Sequence, residues 1–172
     1  GASAQTTQPS TAAGSTKSST TTAAKKNPDH SFVEKAAMGG MAEVELGNVA
    51  QQKAASDEVK QFGSRMVTDH TKANDELKQI ASSKNIEFPT ALDKKDQKLL
   101  DKLGKLDGAK FDREYMEHMV KDHKKDVKEF QKEEKAAKDG DVKAFAANTL
   151  PTLEEHLKLA QSGQAAVNSH GK

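Results

Sequence analysis

VKQFGSRMVTDHTKANDELKQI, from Val59 to Ile80, is the stretch that decides the fold. Its apolar residues Val59, Phe62, Met66, Ala73, Leu77 and Ile80 fall on one face of a helix with about 3.6 residues per turn. His70 stands in the same stripe, where an apolar residue is expected. Ser56 is suited to cap this helix, and Asp57 and Glu58 suit the positive end of its dipole. The helix should fray near Asn85. Pro89 marks a break, because the residue before a proline resists helical geometry.

The same periodicity extends in both directions. Upstream, Ser31 and Glu34 have capping-box spacing and predict a first helix from Ser31 to about Ala54. Its stripe is Val33, Ala36, Gly40, Glu43, Gly47, Ala50 and Ala54, small enough for close approach of a second helix. Phe32, Ala37, Met41 and Val44 widen that face. Downstream, Leu92, Leu99, Leu103 and Leu106 suggest a short helix, ended by the Asp107-Gly108 turn signal. A third long helix is predicted over Ala109–Lys138, with Met116, Met119, Val120, His123, Val127, Phe130, Glu134 and Ala137 inward. Asp139-Gly140-Asp141 forms a tight turn. A fourth helix carries Val142, Phe145, Thr149, Leu153, His156, Leu157 and Ala160, with Pro151 expected to kink it or remove one backbone bond.

No segment reads as a strand. The pattern predicts an all-α protein, a ferritin-like four-helix bundle with a long crossover carrying a short helix between helices 2 and 3. The expected organisation is a disordered Ser/Thr/Ala-rich tail over residues 1–30, the bundle over 31–162, and a disordered tail over 163–172. Between Gly1 and Ser31 there is no Val, Leu, Ile, Met or aromatic residue, so nothing there offsets the entropy of ordering.

Composition narrows the function. The chain has 27 basic and 26 acidic residues, a formal net charge of +1, and 4% aromatic residues. Only Arg65 and Arg113 are arginines, and no basic stripe stands out, which argues against nucleic-acid binding. No run is long and apolar enough for a transmembrane segment. The absence of cysteine rules out disulfides and thiolate ligands. The letters ASAQ resemble the end of a signal-peptide cleavage site, so a periplasmic or secreted bacterial protein is expected.

MVTDHTK (Met66–Lys72) returns nearly unchanged as MVKDHKK (Met119–Lys125), and LEEHLK (Leu153–Lys158) is a looser copy. Each copy places a histidine, His70, His123 or His156, on its helix's apolar stripe at similar height. Glu43 holds the corresponding place in the first helix. Buried ionisable groups are costly unless paired or coordinated. Glu43, His70, His123 and His156 are therefore candidate ligands for one transition-metal ion, with Zn, Cu, Ni and Fe all suited by ligand type. The other reading is a hydrogen-bonded polar layer that sets helix register.

Each acid that precedes its histidine points about 100° away from it on the same helix. Asp69, Asp122 and Glu155 are thus candidates to orient a histidine of a neighbouring helix, or are exposed acids. Lys72, Lys125 and Lys158 should face water. His118 and Tyr115 are further candidates near the layer, whereas His30 and His170 fall in the tails. A di-iron centre is not expected, because Glu-x-x-His is missing: Val67, Val120 and Leu153 occupy the positions three before the histidines. No nucleophile elbow, phosphate loop or paired acid pocket is present, so no enzyme activity is expected.

The segments FVEKAAMGGMAEVELGNVAQQKA, MVTDHTKANDELKQIA, FDREYMEHMVKDHKKDVKEF and LPTLEEHLKLA together resemble a family of exported bacterial four-helix proteins catalogued as a domain of unknown function in the ferritin-like superfamily. The resemblance runs from about Phe32 to Gln161. It implies a ferritin-like fold and an exported location, but no reaction. The expected function is metal handling, or metal-dependent stability, in the cell envelope without turnover. The alternative is a structural or stress-related envelope interaction protein whose Glu/His layer only sets register.

Overall fold

The computed structural model describes residues 27–169. Five helices follow one another: α1 (Pro28–Lys53), α2 (Asp57–Ser83), α3 (Lys94–Gly104), α4 (Gly108–Ala136) and α5 (Gly140–Ser169). Four are long and form the bundle, and α3 lies in the crossover. Among the described residues no helix is long and apolar enough to cross a membrane. The tail of residues 1–26, with its cleavage-like start, lies outside the described residues, as does His170.

Helix ends differ from the sequence expectation, most of all at the start of α1 and the end of α5, while α4 ends two residues short of Lys138. α1 begins at Pro28 rather than at Ser31, because Asn27 caps it by accepting from the Asp29 N–H at 2.9 Å. Pro28 sits at the first helical position, where its fixed φ helps and its missing N–H costs nothing. Ser31 is already inside, donating its N–H to the Asn27 carbonyl. At the other end, α5 does not stop at residue 162 but continues to Ser169. The stripe Leu153, His156, Ala160, Gly163 and Val167 keeps helical spacing. Val167 is buried in the core, and a Cβ on Gly163 would lie 2.7 Å from the Met116 methyl. Pro151 is exposed within α5, and the helix continues through it.

α1 pairs with α2 and α4 with α5, each through a short turn. The two hairpins meet where α2 packs on α5 and α1 on α4. A carboxylate ties them together at each end. Asp112 of α4 accepts the Ala55 and Ser56 N–H groups at 3.1 and 3.0 Å, at the start of α2. Asp29 of α1 accepts the Lys138 and Asp139 N–H groups at 3.0 and 2.9 Å, before α5. α2 and α4 therefore start at the same end and run parallel. Residues 84–107 must travel back along the bundle, and α3 does so packed on α1 and α4.

α1 and α2 approach closely where two glycines face each other. A Cβ on Gly47 would stand 2.6 Å from the Gly63 carbonyl oxygen, and one on Gly63 would stand 2.8 Å from the Gly47 oxygen. The small stripe foreseen in the first helix thus serves as a helix–helix seam.

The hydrophobic core falls into two clusters. One gathers Leu46, Phe62, Met66, Phe111, Tyr115 and Met119 near the starts of α2 and α4. The other gathers Phe32, Val33, Leu77, Phe130, Phe145 and Leu153 towards the opposite end. Each fully buried large apolar side chain contributes about 1.5–3 kcal/mol, so these clusters hold the bundle together. Between them, along the helices, lie the buried Glu43, His70, His123 and His156.

Candidate metal centre

His70 is supplied by α2, His123 by α4 and His156 by α5. His123 and His156 are 0% exposed and His70 is 8% exposed. Ring centroids are 5.9 Å apart for His70–His123, 5.3 Å for His70–His156 and 5.4 Å for His123–His156. One ligand atom from each lies within 4.8 Å of the other two. His70 Nε2, His123 Nε2 and His156 Nδ1 are all buried without a hydrogen-bond partner.

Hydrogen bonds set two of the tautomers. His123 Nδ1 is 2.8 Å from the Met119 carbonyl oxygen, which can only accept, so the proton is on Nδ1. His156 Nε2 is 2.6 Å from the Asp69 carboxylate, and the proton is on Nε2. In both rings the remaining nitrogen, the unpaired one, carries a lone pair. Burial lowers the pKa of His70 to about 3, assisted by the neighbouring His123 and His156. Burial likewise lowers His123 to about 4, although its bond to Met119 opposes the shift. His156 is also lowered by burial, against the pull of Asp69. All three rings are therefore neutral near pH 7, the state that binds metal.

Asp69 belongs to a chain of charged contacts. Arg65 donates its Nε–H to Asp69 at 3.1 Å and forks onto both Glu155 oxygens at 3.1 and 3.0 Å. Burial works to raise the Asp69 pKa, but the bonds to His156 and Arg65 prevail and hold it low. Asp69 thus orients a histidine of a neighbouring helix, one of the two roles considered for it. Glu155 instead reaches Arg65, and Asp122 reaches Glu43.

Glu43 does not join the histidines. Its carboxyl gathers with those of Asp122 and Asp126, with one oxygen of each within 4.8 Å of the others. Burial pushes the Glu43 carboxyl well above its usual range, and the hydrogen bond and charge of Asp122 push it further. Burial also acts to raise Asp122, but the Glu43 bond together with the charges of His118, His123 and Lys125 brings it below its usual range, so the proton sits on Glu43 and Asp122 is the carboxylate. Asp126 is pushed well up by burial and by Asp122. Asp96 of α3 rises to about 6 through burial and the charges of Asp93 and Asp122. The single layer expected from helix heights thus resolves into a three-histidine group and an acid group beside it. α1 packs against α4, so Glu43 meets Asp122 across that seam.

Tyr115 is fully buried, stacked on Phe111 at 5.4 Å and edge-on to Phe62 at 6.0 Å. It is a core residue, and its hydroxyl has no partner among the described residues. His118 is half-buried, and burial lowers its pKa although Asp122 opposes this. Lys72, Lys125 and Lys158 are exposed, as expected. Sequence reading missed Arg65 and Asp126. Both were signalled by spacing, since Arg65 is one turn before Asp69 and Asp126 one turn after Asp122.

The fold and the site define a class: an all-helical four-helix bundle with three neutral histidines converging in its core. The chain belongs to the family described as Domain of unknown function (DUF4142), whose model matches residues 13–162. No curated protein sequence matches it. Four solved chains match it in structure, and two of them illustrate the fold. One is a protein described as secreted, DUF305, from Streptomyces coelicolor, with a TM-score of 0.67 and 15% identity, covering 81% of this chain and 93% of that one. The other is CopM in its Cu(I)-bound form, with a TM-score of 0.65 and 18% identity, covering 78% of this chain and 93% of that one.

Proposed function

We propose that this protein binds one transition-metal ion through His70, His123 and His156, and serves metal handling in the bacterial envelope without turnover. The observation that carries this reading is the convergence of three buried, unpaired ring nitrogens from three helices. A layer that only set register would pair those nitrogens, since an unsatisfied buried polar atom costs about 1–3 kcal/mol. The Asp69–His156 pair has the carboxylate–histidine form that commonly supports a metal-bound imidazole. Glu43, engaged with Asp122, is left out of the proposed ligand set. A fourth ligand would be water or an exogenous group.

Zn, Cu, Ni and Fe all suit imidazole ligands. Met66 and Met119 each stand one turn from a triad histidine on the same helical face, and thioethers favour Cu(I). CopM, similar in fold, is described with Cu(I), so copper is the first ion to test. The envelope location is supported by the likeness to a protein described as secreted, and cell fractionation tests it.

The metal test uses full-length protein purified without an affinity tag. Its thermal midpoint is followed with chelator and then with Cu, Zn, Ni or Fe(II). An ion held at 100 times its Kd should add about 2.7 kcal/mol of stability, and His123→Ala should abolish the gain. If no ion moves the midpoint of the wild type, the metal reading fails and the layer is a register device.

A further inference from the structure

A cavity of about 360 Å³ lies among the four long helices and reaches His70. A water molecule takes about 30 Å³ in the liquid, so the space is ample for a hydrated ion. Near the site its wall mixes polar side chains with apolar ones such as Ala73 and Leu153. His70 Nε2 and Asn74 Oδ1 are both buried without a hydrogen-bond partner, and both residues line this cavity. Along α4 the wall carries Asp126, Glu129 and Glu133. Their spacing of three and four residues makes a row of oxygen donors, spanning about 10 Å at a rise of 1.5 Å per residue. Lys35 and Lys132 also line it.

Gly39 supplies an independent sign. It lies within α1 and lines the cavity. Glycine inside a helix costs about 1 kcal/mol relative to alanine, and elsewhere in the bundle packing accounts for it. A Cβ on Gly40, Gly47, Gly63 or Gly163 would lie under 3 Å from a neighbour. A Cβ on Gly39 would meet nothing within 4 Å. No neighbour needs that space.

We infer that this cavity is the route by which a transition-metal cation reaches the three histidines, past the carboxyl oxygens of α4, with Gly39 keeping it open. The inference rests on the metal-binding reading above. The incoming ion exchanges hydration waters for carboxyl and amide oxygens on the wall before the imidazoles take it.

A route differs from a ligand in its kinetics: obstruction slows entry and exit alike and leaves the equilibrium unchanged. The test measures uptake of Cu²⁺ and of Zn²⁺ by the apoprotein, and loss of each to excess colour-forming chelator. Two plugs enter from different helices, Gly39→Phe from α1 and Ala73→Leu from α2, with Gly39→Ala as the small control. Each plug should slow uptake and loss by roughly tenfold, as expected for gated access, with Kd within about twofold of wild type. Gly39→Ala, a smaller obstruction in the same place, should slow both rates by less than either plug. Glu129→Lys should slow uptake more at low salt than at high salt. If wild-type protein binds ions at rates that neither folded plug changes, the route is overturned and the metal site stands. If wild-type protein binds neither ion, uptake of Ni²⁺ and Fe²⁺ is measured in the same way, and both readings fall together when none of the four binds.

Discussion

The Asp69 carboxylate on α2 lies 2.6 Å from His156 Nε2 on α5, and Arg65 holds it there at 3.1 Å. One contact thereby joins the two hairpins, sets a histidine tautomer and turns the other ring nitrogen inward as a lone pair. Removing the carboxylate as Asp69→Ala frees the His156 ring and its tautomer. Metal affinity should fall by about 10–100-fold, the usual effect of losing such a partner. Glu155→Ala removes only the outer arm of the fork, whose side chains are 40% and 54% exposed. It should change stability by less than about 1 kcal/mol. Titration with a competing chelator measures the affinities, and equal losses in the two variants would contradict the assignment.

The triad should bind metal with little proton competition. A histidine at its usual pKa near 6.5 would lose affinity steadily below that pH. Here burial holds His70 near 3 and His123 near 4. His156 is lowered as well, so metal affinity should fall less between pH 7.5 and pH 5.5 than it would for three ordinary histidines.

Glu133 provides a pH-sensitive contact at the far end of the bundle. Burial, followed by its hydrogen bond with Asp29, raises its pKa to about 7 from 4.5. The folded state therefore holds the proton more tightly than the unfolded chain. That stabilisation is full below pH 4.5 and is lost as pH rises through about 7. Glu133→Gln keeps a neutral side chain at every pH. Its stability relative to wild type should rise between pH 5 and pH 8, by at most about 2 kcal/mol after solvent screening. Urea unfolding at the two pH values reads this, and a constant difference would contradict it.

The Gly47–Gly63 seam leaves no room for a methyl group. Gly63→Ala places a carbon 2.8 Å from both the Gly47 oxygen and the Ala50 Cβ. The helices must separate, at a cost of about 1–3 kcal/mol in denaturant unfolding despite alanine's better helix propensity. Gly39→Ala meets open space and should gain up to about 1 kcal/mol.

Asp112 joins the hairpins by accepting two N–H groups from residues 55 and 56, and it is 3% exposed. Asp112→Ala leaves those donors at the start of α2 without their carboxylate. The expected loss is about 2–4 kcal/mol, above that of an ordinary exposed cap. Thermal or urea unfolding checks this value.

Period and punctuation carried most of the fold into the sequence. Val59, Phe62, Met66, His70 and Leu77 had to share a face, because a helix repeats every 3.6 residues or so. Heights along that face placed the three histidines at one level between apolar clusters. Helix ends were less legible. Asn27-Pro28 outranked Ser31 as a start. Gly163 continued α5 because the Met116 methyl fills its missing side chain, a contact between residues far apart in the chain.

What the sequence determined by itself is the set of helices and the inward face of each, since both follow from local spacing and solvent avoidance. Which inward residues meet was decided by tertiary structure. Height along a helix says nothing of azimuth or of which neighbour lies across the seam. The packing of α1 on α4 sends Glu43 to Asp122, while α2, α4 and α5 bring His70, His123 and His156 to one point. The pairing of Asp69 with His156 depends likewise on α2 meeting α5, because two side chains on different helices touch only when packing sets those helices side by side.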